Sequence, residues 1–174
     1  VVIIGGAKIK DKSEILIKFI KKSSYILIDD GITNSFIKAA GFEVGRSYFD
    51  EMAIPNFTKL DFNKIILPLD FKVLEATGST KYKMNSEIGT MDKILDLGNL
   101  TVQQYINYIK QAKFVLWNGP LGYIEDERFA EATKLLLEFI KNDRNRKYVL
   151  GGGETLDAIA QFAPSIFKQK NVFV

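Results

Sequence analysis

Short, almost uninterrupted apolar runs recur along the chain: "VVIIGG" at 1–6, "YILIDDG" at 25–31, "KIILPLD" at 64–70, "KFVLWNGP" at 113–120, "KYVLGGG" at 147–153 and "NVFV" at 171–174. Strands covered on both faces read as continuous runs of this kind, whereas half-exposed antiparallel strands alternate. Helix-like patterns fall between the runs. In "KSEILIKFIKKS" (12–23), Ile15, Phe19 and Ile20 share a stripe, and in "RFAEATKLLLEFIKN" (128–142) so do Phe129, Ala132, Leu136 and Phe139. The expected fold class is therefore α/β, a three-layer α/β/α Rossmann-like domain with a mainly parallel central sheet.

Two segments break the rhythm. From Lys72 to Leu100 the pattern weakens and predicts a strand pair or long excursion with a turn at Gly78. "NLTVQQYINYIKQA" (99–112) then restarts a helix, with Thr101 as its expected cap. "KNDRNRK" (141–147) reads either as a basic anion patch or as a solvated helix-to-strand loop, and the loop is favoured.

Composition narrows the chemistry. The 174 residues suit a single domain, 1–174, and 47% hydrophobic with 26% charged residues is ordinary for a globular protein. No apolar run approaches the roughly 20 residues that cross a bilayer, so no membrane is expected. With no cysteine and no histidine, disulfides, thiol nucleophiles, imidazole bases and the usual zinc ligands are excluded. A net charge of +3 is too small to argue for nucleic acid. The abrupt opening strand, with no leader pattern before it, reads as though something preceded it.

In an open parallel sheet, ligands bind outside the carboxyl ends of the strands, and here those ends carry glycines. "GGAKIKDK" places Gly5 and Gly6 before Lys8 and Lys12, which on a helix share a face near its positive end. Ammonium groups and free backbone N–H groups suit a phosphate, although glycines that merely turn the chain and lysines that solvate a helix explain the same letters. "GGGET" places Gly151, Gly152 and Gly153 before Glu154 and Thr155. The backbone can cradle phosphate, the Thr155 hydroxyl can add a bond and Glu154 can hold Mg²⁺; the alternative is a capping acid on a tight turn. In "WNGPLGYIE", Asn118, Gly119 and Pro120 force a sharp exit from a strand, which turn chemistry alone could require. Glu125 suits ribose hydroxyls, Leu121, Tyr123 and Ile124 offer an apolar wall to a base, and Trp117 reads as core packing.

Together and in this order the three segments resemble phosphoglycerate kinase, specifically its C-terminal, nucleotide-binding domain: "GGAKIKDK" is similar to GGAK-x-x-DK, "WNGPLGYIE" to WNGP-x-G-x-x-E and "GGGET" to GGGDT, with "GFEVGRSYFDE" and "ILPLDF" also familial. The resemblance implies reversible phosphoryl transfer between 1,3-bisphosphoglycerate and ADP, giving 3-phosphoglycerate and ATP, with Mg²⁺ as the ion. By similarity Lys8 contacts the transferring phosphoryl group, Lys12 and the glycines at 151–153 meet nucleotide phosphates, and Asn118 and Pro120 lie near them. Glu125 binds ribose, Glu154 with Thr155 serves metal and phosphates, and Gly5, Gly6, Gly31, Gly98 and Leu121 line the adenine pocket.

Departures from the family pattern are specific. Asp29 and Asp30 stand with Gly31 where the family shows three glycines, adding bulk and two negative charges beside the base pocket. Glu154 replaces an Asp, and Asn99 a proline. The family's downstream glycine-rich loop and its N-terminal, phosphoglycerate-binding domain are expected to lie outside this chain, which is then not competent alone. The resemblance also implies a cytoplasmic protein that is monomeric at full length, with ADP or ATP as partners, phosphoglycerate through the missing N-terminal domain, and no nucleic acid. Competing readings are a noncatalytic anion- or nucleotide-binding module with a degraded pocket, and nucleic-acid binding through Lys18, Lys21 and Lys22, which strong salt-dependent binding would reveal.

Overall fold

The computed structural model describes residues 1–6, 16, 18–51 and 62–174. Six strands form a wholly parallel sheet: β1 (Val2–Ile4), β2 (Ile26–Ile28), β3 (Ile65–Ile66), then, after an intervening three-stranded sheet, β7 (Phe114–Asn118), β8 (Lys147–Gly151) and β9 (Val172–Phe173). Their spatial order is β3-β2-β1-β7-β8-β9. Counting only these six, that is 3-2-1-4-5-6, the doubly wound order whose direction reverses between β1 and β7. Alternation explains the two cores. Val2, Ile4, Ile26 and Ile28 face a cluster with Ile32 and Phe36 of α1 (Asp30–Ala39), while Ile3, Leu27, Val115 and Trp117 face the opposite cluster. That second cluster takes apolar residues from α2 (Asn99–Lys110), α3 (Glu131–Asn142) and α4 (Gly153–Phe162). Three layers result, as the apolar runs predict.

The excursion is a three-stranded antiparallel sheet, ordered β5-β4-β6, of β4 (Asp70–Leu74), β5 (Thr80–Met84) and β6 (Lys93–Leu97). The β4–β5 pair turns through Gly78 at φ 85°, a left-handed conformation that favours glycine. A polar clasp ties this sheet to α3: Glu131 Oε2 accepts from Lys72 Nζ at 2.9 Å and from Tyr82 OH at 2.6 Å.

Two sequence expectations change. Thr101 does not cap α2; Gly98 occupies the N-cap, and Thr101 lies inside the first turn, fully buried. The cap comes from another strand, because the Asp70 carboxylate accepts from Leu100 N at 3.2 Å and Thr101 N at 2.8 Å. In 141–147, charge turns inward as well as outward: the carboxylate of buried Asp143 accepts from Arg146 Nη1 and Tyr148 OH, and Arg146 Nε donates to Ile109 O. The stripe on α3 holds at Ala132 and Leu136, while Phe139 is half-buried.

Candidate functional site

Register brings the loops together. Ile4 pairs with both Ile28 and Asn118, and Asn118 pairs with Gly151, so β1, β2, β7 and β8 end level and their next residues emerge side by side. Gly5 N–H donates to Asn118 O at 3.0 Å and Asp29 N–H to Ile4 O at 3.0 Å. Only glycine fits at position 5, because an added Cβ would stand 2.0 Å from the Pro120 carbonyl oxygen. Glycine here lets the loop after β7 cross directly over the end of β1.

The loop after β8 interlocks with the same crossing. Thr155 has no exposed surface, and its Oγ1 accepts from Gly119 N–H at 2.7 Å. Gly152, at φ 94°, favours glycine by its left-handed backbone and sits close beneath the Asn118 amide, whose Nδ2 would lie a tight 3.1 Å from an added Cβ. α4 therefore starts immediately behind Asn118. No side chain caps it, so the first-turn N–H groups of the exposed Gly153 and Glu154 stay directed at the space over the strand ends, where the helix field favours an anion. Glu154 is exposed at that mouth.

The third side of the site is acidic. Asp29 is 2% exposed, and its Oδ2 accepts from Gly122 N–H at 2.6 Å. Asp30 opens α1 at φ 59°, a left-handed conformation in which Asp is tolerated better than most side chains. Asp96 reaches the same corner from β6 and caps α3 by accepting from Glu131 N–H at 2.9 Å and Ala132 N–H at 3.2 Å. Burial, aided by the negative charge of Asp29, pushes the Asp96 carboxyl up to about 8. A pocket of about 170 Å³ opens between these groups and Gly122, Tyr123 and Tyr48.

The sequence-derived site residues divide accordingly. Gly5, Gly6, Gly31, Asn118, Pro120, Gly151, Gly152, Gly153, Glu154 and Thr155 fall at or immediately after the level strand ends. Thr155 is a brace under the loop rather than an open surface, and Leu121 is buried with its N–H and C=O both bonded to Thr133 Oγ1 at 2.7 Å. Gly98 is enclosed against the Asp70 carboxylate. Glu125 is exposed in the loop after β7. Lys8 and Lys12 lie outside the described residues. Sequence reasoning did not single out Asp96, Asn34 or Thr133; a lone acid inside the apolar run "ILDL" was the available signal for Asp96.

Two larger clefts, of about 670 and 640 Å³, lie at the opposite, amino ends of the strands. The second is lined by Lys141, Arg144, Lys147, Lys168 and Lys170. Neither has the glycine loops or the open helix terminus, so size does not mark the site here.

Strand order, level carboxyl ends and an uncapped helix at the switch point define a doubly wound α/β protein with an anion-receptive crevice. The family model for phosphoglycerate kinase matches residues 1–172. The "Phosphoglycerate kinase" of Baumannia cicadellinicola subsp. Homalodisca coagulata is 35% identical over 164 residues, covering 93% of this chain and 42% of that protein. The "Phosphoglycerate kinase" of Haemophilus influenzae (strain KW20 / Rd) is 36% identical over 166 residues, covering 93% and 43%. The structure of phosphoglycerate kinase from Coxiella burnetii superposes with a TM-score of 0.89 at 26% identity, over 99% of this chain and 46% of that one. This chain belongs to the phosphoglycerate kinase family and spans less than half the length of these relatives.

Proposed function

We propose that this chain is the nucleotide-binding half of a phosphoglycerate kinase, a glycolytic and cytoplasmic enzyme that transfers a phosphoryl group reversibly between 1,3-bisphosphoglycerate and ADP, giving 3-phosphoglycerate and ATP. The observation that carries this reading is the convergence of three glycine-bearing strand ends on the uncapped start of α4, in the family's order. A loose phosphoryl-transfer transition state spreads charge over the equatorial oxygens, so positioned N–H donors and cations do the work, and no histidine or cysteine is needed.

In this reading the N–H groups of Gly153 and Glu154 donate to phosphate oxygens, with Lys12 assigned to the nucleotide phosphates and Lys8 to the transferring group by the family's pattern. Glu125 takes the ribose hydroxyls. Among the described residues no group of three or more acidic or other ligating side chains could form a cage for an ion. One exposed carboxylate, Glu154, instead fits Mg²⁺ held mostly by phosphate oxygens and water. When bound, Mg²⁺ neutralises charge on the phosphoryl oxygens. The phosphoglycerate is held by a domain outside this chain, the full-length enzyme is a monomer, and the chain alone binds nucleotide without turnover.

Calorimetric titration with ADP, with and without Mg²⁺, beside Lys12→Ala tests this. Saturable binding that the substitution abolishes is expected. Absence of binding by the unaltered chain, or robust turnover in a coupled assay, would contradict it.

A further inference from the structure

Beside the phosphate-facing loops lies the pocket of about 170 Å³, walled by the loop after β2, the loop after β7 and strand β6. Cavities of about 150 Å³ hold a benzene-sized ring, so a pocket of this volume with an open mouth takes one planar heterocycle. Tyr48 and Tyr123 line that pocket and are 61% and 51% exposed, and aromatic side chains so placed suit a stacked base.

The walls are rich in hydrogen-bond acceptors. Asp29, Asp30 and Asp96 bring carboxyl groups, and Asn34 brings an amide that is 3% exposed. Asn34 Nδ2 is committed to the Tyr48 carbonyl at 2.9 Å, and its buried Oδ1 has no partner, so what the amide has left is an acceptor. A buried acceptor without a donor is costly unless something supplies one. Asp30, half-buried, is held at φ 59°, where a non-glycine residue is uncommon; such a backbone outlier points toward a use for the side chain.

We infer that this pocket selects guanine over adenine, with the Asp30 carboxylate accepting from the N1–H and 2-amino group of the base; the inference rests on the nucleotide-binding reading above. Guanine presents two adjacent donors on its pairing edge, and two carboxylate oxygens match them. Adenine presents its 6-amino donor beside the N1 lone pair, so a carboxylate set against that edge gains one bond and meets one repulsion. Asp30 already has an interaction of its own, and the roughly four acceptor sites of a carboxylate leave others on its two oxygens for the base. Lys93 lines the same pocket, and its ammonium supplies a donor for guanine O6.

The test is titration of the unaltered chain with GDP, ADP and inosine diphosphate, each with Mg²⁺. A bidentate contact of this kind predicts GDP binding roughly 5- to 150-fold tighter than ADP. Inosine diphosphate, which keeps N1–H and lacks the 2-amino group, falls between. Asp30→Gly is expected to abolish the preference for GDP over ADP, read as the ratio of the two dissociation constants. ADP binding as tightly as GDP overturns the inference and leaves the nucleotide reading standing, whereas binding of no nucleotide overturns both. The three-nucleotide comparison needs no variant and stands if Asp30→Gly fails to fold.

Discussion

Thr155→Val isolates the brace that joins the loops of the site. The side chain has no exposed surface, and its Oγ1 accepts from the buried Gly119 N–H at 2.7 Å. Valine keeps the branched shape but offers no acceptor, so the substitution leaves a buried donor unpaired. Such an orphan costs about 1–3 kcal/mol. In a chain of 174 residues each kcal/mol moves the melting temperature by roughly 2–4 °C, so a loss near the middle of the range lowers Tm by about 4–8 °C. Thr155→Ser retains the hydroxyl and is expected to recover most of that loss. Circular dichroism melts of the three proteins read the effect, and amide exchange at Gly119 reads its location, with faster exchange in the valine variant only. A valine variant that melts within a degree of the parent would refute the assignment of this hydrogen bond as the brace.

Other consequences follow from the same corner. Gly5→Ala forces a methyl against the backbone carbonyls of Gly119 and Pro120 and is expected to cost about 3 kcal/mol, read by urea unfolding. Tyr105→Phe removes the hydroxyl that donates to Ile28 O at 2.6 Å and is expected to lower stability by about 1 kcal/mol, seen in the same assay. Asp96 carries a pH dependence. Its folded-state value of about 8 lies above the ordinary carboxyl value, so its contribution to stability is complete below pH ~4 and is lost as pH rises through about 8. Relative to Asp96→Asn, the parent should therefore weaken between pH 5.5 and 8.5 in urea titrations; parallel profiles would remove Asp96 as the cause.

The layered α/β fold was legible because strands buried on both faces leave unbroken apolar runs, as in β1 and β8, and glycine clusters marked where those strands end. The third strand of the small sheet was not resolved from the sequence, because "MDKILDLGN" mixes charge with apolar residues on a strand whose register shifts against β4 between Lys72 and Val73. Helix caps were misread for a related reason: the acceptor for the start of α2 is Asp70, distant in sequence, so local propensity pointed to Thr101 instead. At the site, motif order located the loops, but the division of labour within them depends on packing. Thr155 and Leu121 look available in the sequence and are buried in the fold, while Asn34 and Asp96 enter the pocket through contacts that no spacing rule encodes.

In the nucleotide-binding reading, phosphate binds over the level strand ends, at the start of α4. Backbone amide shifts of the isotopically labelled chain, followed during titration with MgADP or MgGDP, test it most directly. Saturable movement at Gly6, Gly119, Gly152, Gly153 and Glu154, with Lys147 and Lys170 unchanged, is the predicted result. Shifts confined to the basic cleft of Lys141, Lys168 and Lys170 at the opposite ends of the strands would contradict it.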